Sequence, residues 1–152
     1  MGNQASLKTY IEKGFIDLAD NVAFRTIKDG CNCFGYNYKG YQKAAAPHPY
    51  ESDTRLWFPK ITVDSIWDNS ISGDGKVIIE KCTDDRLRAE HVENCLNDER
   101  VKRTVFAREK DIYGELMYVF KGLFEIDRNK SNSIDGVFWN RIATRVKTYP
   151  PI

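Results

Sequence analysis

Residues 103–149 read RTVFAREKDIYGELMYVFKGLFEIDRNKSNSIDGVFWNRIATRVKTY, and their periodicity decides the fold class. The run 115–127 alternates. Leu116, Tyr118, Phe120, Phe124 and Ile126 fall on one face with Gly122 among them, and Met117, Val119, Lys121, Leu123 and Glu125 fall on the other. The run 136–146 does the same, with Phe138, Asn140, Ile142, Thr144 and Val146 opposing Val137, Trp139, Arg141 and Ala143. Period-two patterns rich in aromatic and β-branched residues mark half-buried strands. The turn-rich segment between them predicts an antiparallel hairpin. A one-residue slip would exchange the faces, so its register is well specified. Residues 103–108 read as a third, short and mixed strand.

Upstream, Leu7, Ile11, Phe15, Leu18 and Val22 recur at helical spacing and predict a helix over 6–22, with Ser6 as its cap. Gly14 lies inside it at a cost of about 1 kcal/mol relative to alanine. Residues 23–28 extend the helix or form a short strand, and Asp29-Gly30 is a turn signal. Residues 31–50 read as an extended piece followed by an ordered loop. Residues 55–62 form a strand that Pro59 assigns to an edge or a bulge. Residues 76–81 make a short buried strand after the turn at 73–75. A second helix runs from a Thr83 cap to about residue 100, with Asp84 and Asp85 in the first turn, where the dipole favours negative charge. Its Leu87, His91 and Cys95 form one line. This order of elements indicates an α+β fold: a strongly curved mixed or antiparallel sheet, or a small β-barrel, with flanking helices. The length suits a single domain over 1–152.

The formal net charge of +1 gives no global basic field, so any nucleic-acid surface must be assembled locally by folding. No apolar run approaches the ~20 residues of a membrane helix, and the N-terminus has no apolar signal core. Met1-Gly2 with Ser6 formally fits an N-myristoylation pattern. Without a secretion signal, Cys31, Cys33, Cys82 and Cys95 are expected to be reduced thiols in a cytoplasmic protein.

Five constellations carry candidate chemistry. Phe34, Tyr36, Tyr38 and Tyr41 are interleaved with glycines and lysines, and Trp57 follows a short way on. Stacked bases need such faces, at roughly 1–3 kcal/mol each, and Lys39, Lys43 and Arg55 are placed to meet phosphates. The simpler alternative is that these rings fill the core. Cys31, Cys33, Cys82, His91 and Cys95 offer zinc ligands, but their spacing is irregular and no zinc is expected. Asp64, Asp68 and Asp74 before Lys76 resemble the core of a metal-dependent nuclease, although Asp74 is also a natural turn residue. Asp127, Asn129, Ser131, Ser133 and Asp135 alternate like calcium ligands, yet Asn132 and Phe138 stand where an EF-hand needs Gly and Glu, so a solvated hairpin loop is expected. Cys31 or Cys33 with His48 makes a formal thiol pair. There is no G-x-S-x-G for a serine hydrolase and no glycine-rich phosphate loop.

The pattern VFAREK…YVFKGLFEID…GVFWNRIA resembles the closing strands of the PUA-like superfamily, which includes the SRA and EVE domains. The resemblance covers about the last third of the chain. It consists of a strand ending in Phe-Ala-Arg, a Tyr-x-Phe-x-Gly strand and a Trp-x-Arg strand. It implies a curved β-barrel that accepts a modified or flipped base in an aromatic pocket, for which Trp57, Trp67, Trp139 and the tyrosines are candidate walls. The reading is therefore a non-enzymatic reader of nucleic acid or of a nucleotide-like ligand, without cofactor or metal and without a membrane partner. The alternatives are a small metal-dependent nuclease and a domain that binds and inhibits another protein.

Overall fold

The structure is a computed structural model that describes residues 2–40, 42–61 and 63–152, with side chains from Leu7 onward. The candidate Tyr41 lies outside what is described, and so does the side chain of Ser6, whose backbone lies inside the first helix rather than at its start as the expected cap.

The first helix, α1 (Gly2–Lys13), is shorter than its apolar stripe. Gly14 adopts φ +90°, its N–H bonds to the Tyr10 carbonyl at 3.0 Å, and the chain leaves the helix there. This is the left-handed stop that glycine favours. Phe15 therefore enters strand β1 (Phe15–Asp17), Leu18 enters a 3-10 turn, and Val22 precedes β2 (Ala23–Phe24). Asp29-Gly30, expected as a turn, lies inside a short helix α2 (Ile27–Asn32), because the Thr26 hydroxyl caps the Asp29 N–H at 3.2 Å.

Strand β3 (Ala45–Pro47) pairs antiparallel with β4 (Thr54–Trp57). β4 is not at an edge, since it also runs parallel to β7 (Lys102–Lys110). Pro59 falls beyond its end. It has no N–H to give, and its carbonyl accepts from the Arg108 N–H at 2.8 Å. Strands β5 (Ser70–Ile71) and β6 (Val77–Glu80) follow, then α3 (Asp85–Asn97). Asp84 rather than Thr83 is the cap, accepting from the Leu87 N–H at 2.9 Å, while the Thr83 hydroxyl donates to the Ser65 carbonyl.

The predicted hairpin forms: β8 (Leu116–Ile126) pairs antiparallel with β9 (Val137–Ala143) from Leu123↔Ala143 to Ile126↔Trp139. The 136–146 run is nevertheless divided, because the Thr144 carbonyl binds the Leu18 N–H and β10 (Arg145–Lys147) leaves to pair with β1. The 103–108 segment, which looked short, is the nine-residue β7, paired with β8 along its whole length.

The large sheet has the order β3-β4-β7-β8-β9-β6-β5, with β2 beside the first half of β8. It is mixed, as expected for an α+β fold. It is also open, contrary to the expected barrel or strongly curved sheet: no described pairing joins β3 to β5. These edges are three and two residues long and offer almost no ladder for closure. Alternation along the central strands feeds a core on each face. Leu56, Phe58 and Phe106 join Phe24, Phe34 and Phe120 in one, and Trp57 and Val105 join Phe124, Val137 and Trp139 in the other.

Candidate nucleic-acid interface

Three strands and one helix bring polar groups to the floor of a cavity of about 610 Å3. β6 ends on Glu80, Arg103 is the second residue of β7, β4 ends on Trp57, and α3 carries His91 and Cys95 one turn apart. Trp67 and Asn69 enter from the segment before β5, and Phe58, Pro59 and Tyr118 complete the wall near them. The volume falls within the ~300–1,000 Å3 of small-molecule sites, and apolar walls around a few convergent polar groups are their usual make-up.

Glu80 is the centre of the floor and is 5% exposed. Its Oε1 accepts from Arg103 Nη1 at 2.9 Å and from Trp139 Nε1 at 3.2 Å, and its Oε2 lies 3.1 Å from His91 Nε2. Burial pushes its carboxyl up, but the Arg103 charge and the His91 and Trp139 contacts outweigh burial and hold it below the ordinary carboxylate value. His91 moves the other way. Burial pulls it down, while the contact to Cys95 Sγ at 3.5 Å and the hydrogen bond and charge of Glu80 raise it to about 10. Glu80 is thus ionised and His91 protonated at neutral pH. The Arg103 guanidinium is itself sandwiched, 4.4 Å from the Trp57 ring and 4.0 Å from the Trp139 ring, in the cation–π geometry that favours a desolvated arginine.

Two further groups are held in place. Asn69 is 8% exposed; its Oδ1 accepts from the Lys81 N–H at 3.1 Å and its amide nitrogen donates to the Lys60 carbonyl at 3.4 Å. Asp64 Oδ1 accepts from the Ile66 and Trp67 N–H groups at 2.8 and 2.7 Å, which fixes the turn that presents Trp67. The backbone donors of Trp67 and Ile66 hold the Asp64 carboxyl below its usual range. The Trp67 ring meets His91 edge to face at 5.1 Å.

The residues singled out from the sequence separate into those at the cavity and those elsewhere. Trp57 and Trp67 line it. Trp139 is not in the lining; it lies behind, as the second face of the Arg103 sandwich. Tyr36 and Tyr38 stack on each other at 4.5 Å and pack half-buried against the first core, with the Tyr36 hydroxyl donating to the Pro47 carbonyl. Arg55 pairs with Asp98 at 2.9 Å, away from the lining. Lys39 and Lys43 are exposed and flank Gly40 and Gln42, which line a second cavity of about 390 Å3.

The competing constellations resolve into local structure. Asp74 accepts from the Ser72 hydroxyl and the Lys76 N–H within its turn, and Asp64, Asp68 and Asp74 form no ligand group among the described residues. In the 127–135 loop, Asp127 accepts from the Asn129 and Lys130 N–H groups and from the Asn140 amide, so its oxygens serve the turn. Cys31 and Cys33 are buried, burial pushes both thiols up to about 12, and His48 Nδ1 accepts from the Tyr50 and Glu51 N–H groups, so no activated thiol pair exists there. The one group able to hold a metal among the described residues is Glu80, His91 and Cys95, with ligand atoms within 4.8 Å of one another. Arg103, 2.9 Å from Glu80 and 3.7 Å from Cys95 Sγ, already supplies a cation there.

Sequence reasoning missed Glu80, Arg103 and Asn69. A charge inside the apolar run KVIIEK was the available signal for Glu80. For Arg103 there was none, because its partner Glu80 lies 23 residues away, whereas Asn69 stands two residues from the candidate wall Trp67, and that closeness was the signal that could have found it. No helix among the described residues is long and apolar enough to cross a membrane.

A family model, described as the SET and RING associated domain, matches residues 9–148. Among solved structures, the 5-hydroxymethylcytosine-specific restriction enzyme AbaSI matches with a TM-score of 0.89 and 45% identity, over 96% of this chain and 46% of that one. The chain thus spans less than half the length of that enzyme's chain. Comparison with curated proteins finds no match.

Proposed function

The chain belongs to the SET and RING associated (SRA) domain family, and from that premise we propose that it binds DNA and reads a modified cytosine, 5-hydroxymethylcytosine in the first place, turned out of the duplex into the 610 Å3 cavity. The observation that carries this reading is the ionised, buried Glu80 at the floor of an aromatic-walled cavity. A carboxylate offers about four acceptor sites. Arg103, Trp139 and His91 take three of them. The remaining one, on Oε2, suits the exocyclic amine of cytosine, the donor that Glu and Asp accept from. Thymine presents a carbonyl there and would meet a carboxylate with no proton between them. Trp67 supplies a stacking face, and Asn69 adds a fixed amide beside it. Extruding a base costs a few kcal/mol, and stacking together with hydrogen bonds to the base edge offsets that cost. The activity proposed is recognition, without cleavage.

Fluorescence anisotropy with three duplexes of one sequence, carrying cytosine, 5-methylcytosine or 5-hydroxymethylcytosine at a single position, tests the proposal. The hydroxymethylated duplex is expected to bind tightest, and Trp67→Ala to weaken that binding by about 1–3 kcal/mol, the range for a stacked base. Equal affinity for all three duplexes at low salt would overturn it.

A further inference from the structure

We propose that the second cavity, of about 390 Å3, is a phosphate clamp that holds the backbone of the flipped strand beside the modified nucleotide. This inference rests on the base-reading proposal. The two cavities share Ile27 and Tyr118, so they meet along one wall. The second is lined by Arg25, Lys28 and Arg108 with Thr26, Gly40 and Gln42, and no carboxylate is part of that lining. Three cationic side chains thus converge here in a chain whose net charge is only +1.

Their ties differ. Arg25 Nη2 pairs with Glu115 at 3.0 Å, and both side chains are about half exposed. Neither Lys28 nor Arg108 pairs with a carboxylate among the described residues. Arg108 is the best fixed of the three. Its N–H bonds to the Pro59 carbonyl at 2.8 Å, and its guanidinium lies 4.8 Å from the Tyr118 ring. The face of the dividing tyrosine therefore orients a planar cation whose fork matches phosphate oxygens. A nucleotide in the first cavity has its phosphodiester about one nucleotide's reach from its base, and the cationic cavity opens directly across Tyr118. A lining of three positive charges with a hydroxyl and an amide fits a phosphodiester.

The test combines charge removal on the protein with charge removal on the DNA. Arg108→Met keeps the apolar stem and removes the guanidinium, and Lys28→Met is the second variant. Near-ultraviolet circular dichroism checks that each remains folded. Binding is measured over a range of salt concentrations to cytosine and 5-hydroxymethylcytosine duplexes, and to modified duplexes with one methylphosphonate at each linkage around the modified base. Arg108→Met is expected to weaken both duplexes about tenfold at low salt while keeping their ratio. It should also reduce the slope of log K against log salt by about one, the signature of a lost phosphate contact. One methylphosphonate position should weaken wild-type binding by a similar factor and add little in Arg108→Met. If the wild type discriminates the modified base but every methylphosphonate and the Arg108 change act additively, the clamp is overturned alone. If the wild type does not discriminate at all, the base-reading proposal falls and the clamp falls with it.

Discussion

Glu80 carries the cost of a charge in the interior, and its partners determine how that cost is offset. Breaking a buried ion pair from one side leaves the other charge uncompensated and costs about 3–5 kcal/mol, which explains why carboxylate, guanidinium and imidazolium occur here together. The shifts have opposite consequences for stability. His91 is raised from 6.5 to about 10, so its contribution is complete below about pH 6.5 and is lost as pH rises through about 10. Glu80 is lowered from 4.5, so its contribution is complete above that value and is lost as the carboxyl protonates in acid. His91→Gln keeps a hydrogen-bond donor near Glu80 but not the charge. Urea unfolding at several pH values should show a wild-type advantage over His91→Gln that is largest near pH 6 and fades toward about pH 10. A gap that does not change with pH would contradict the assignment of His91 as the imidazolium partner of Glu80.

At the scale of the element, β8 does the work of two strands. Its first half pairs with β2 at Tyr118 and Val119, its second half pairs with β9 from Leu123, and Gly122 lies between them. Opposite β7 the register passes from Val105↔Gly122 to Phe106↔Phe120, so Lys121 is the extra residue of a bulge. Bulges bend a strand and re-aim its side chains. Here the bulge separates Tyr118, at the wall of both cavities, from Phe124 and Ile126 in the second core. Gly122 has φ +108°, and a Cβ there would stand 2.7 Å from the Ala143 carbonyl oxygen and 2.8 Å from Arg141 Cδ. Gly122→Ala should therefore cost at least about 1–3 kcal/mol, the price of backbone strain alone. Gly73, with nothing within 4 Å of such a Cβ, is the control, and Gly73→Ala should stay within about 0.5 kcal/mol. Denaturation midpoints check both, and equal effects would count against the bulge as the reason for Gly122.

Across the whole molecule, the two cores are coupled through shared strands. Leu56 and Phe58 of the β4 region enter one and Trp57 the other, while Phe106 and Val105 of β7 divide in the same way. Neither core can dissolve without dismantling the strands that support the other, so a single cooperative transition is expected for this chain. The three tryptophans make the test direct. Trp57 and Trp139 sit in the second core and Trp67 at the cavity, so their fluorescence reports that side only. Far-ultraviolet circular dichroism reports the entire backbone. Coincident urea transitions by the two probes are expected, and a fluorescence transition that precedes the loss of secondary structure would show the cores unfolding separately.

The sequence by itself determined what depends on local pattern. Alternation over 115–127 and 136–146 specified strands and the antiparallel pairing of β8 with β9, because side-chain direction in a strand reverses at every residue, although the second run divides after Ala143. The start of α3 was legible to within one residue, the cap being Asp84 where Thr83 was expected, and the closing strands carried the family resemblance that the SRA match bears out. Local pattern failed where a distant partner competed. The apolar stripe of α1 ran on past Gly14, but β10 claimed the residues beyond it for a strand. The candidate site shows the same division. Trp57 and Trp67 were legible as aromatic surface. Glu80, Arg103 and His91 acquired meaning only when β6, β7 and α3 converged, since a buried charge is defined by its partners. Their partners lie 23 residues apart for Glu80 and Arg103 and 59 for Glu80 and Trp139. The open sheet was likewise a tertiary outcome, decided by edge strands too short to meet.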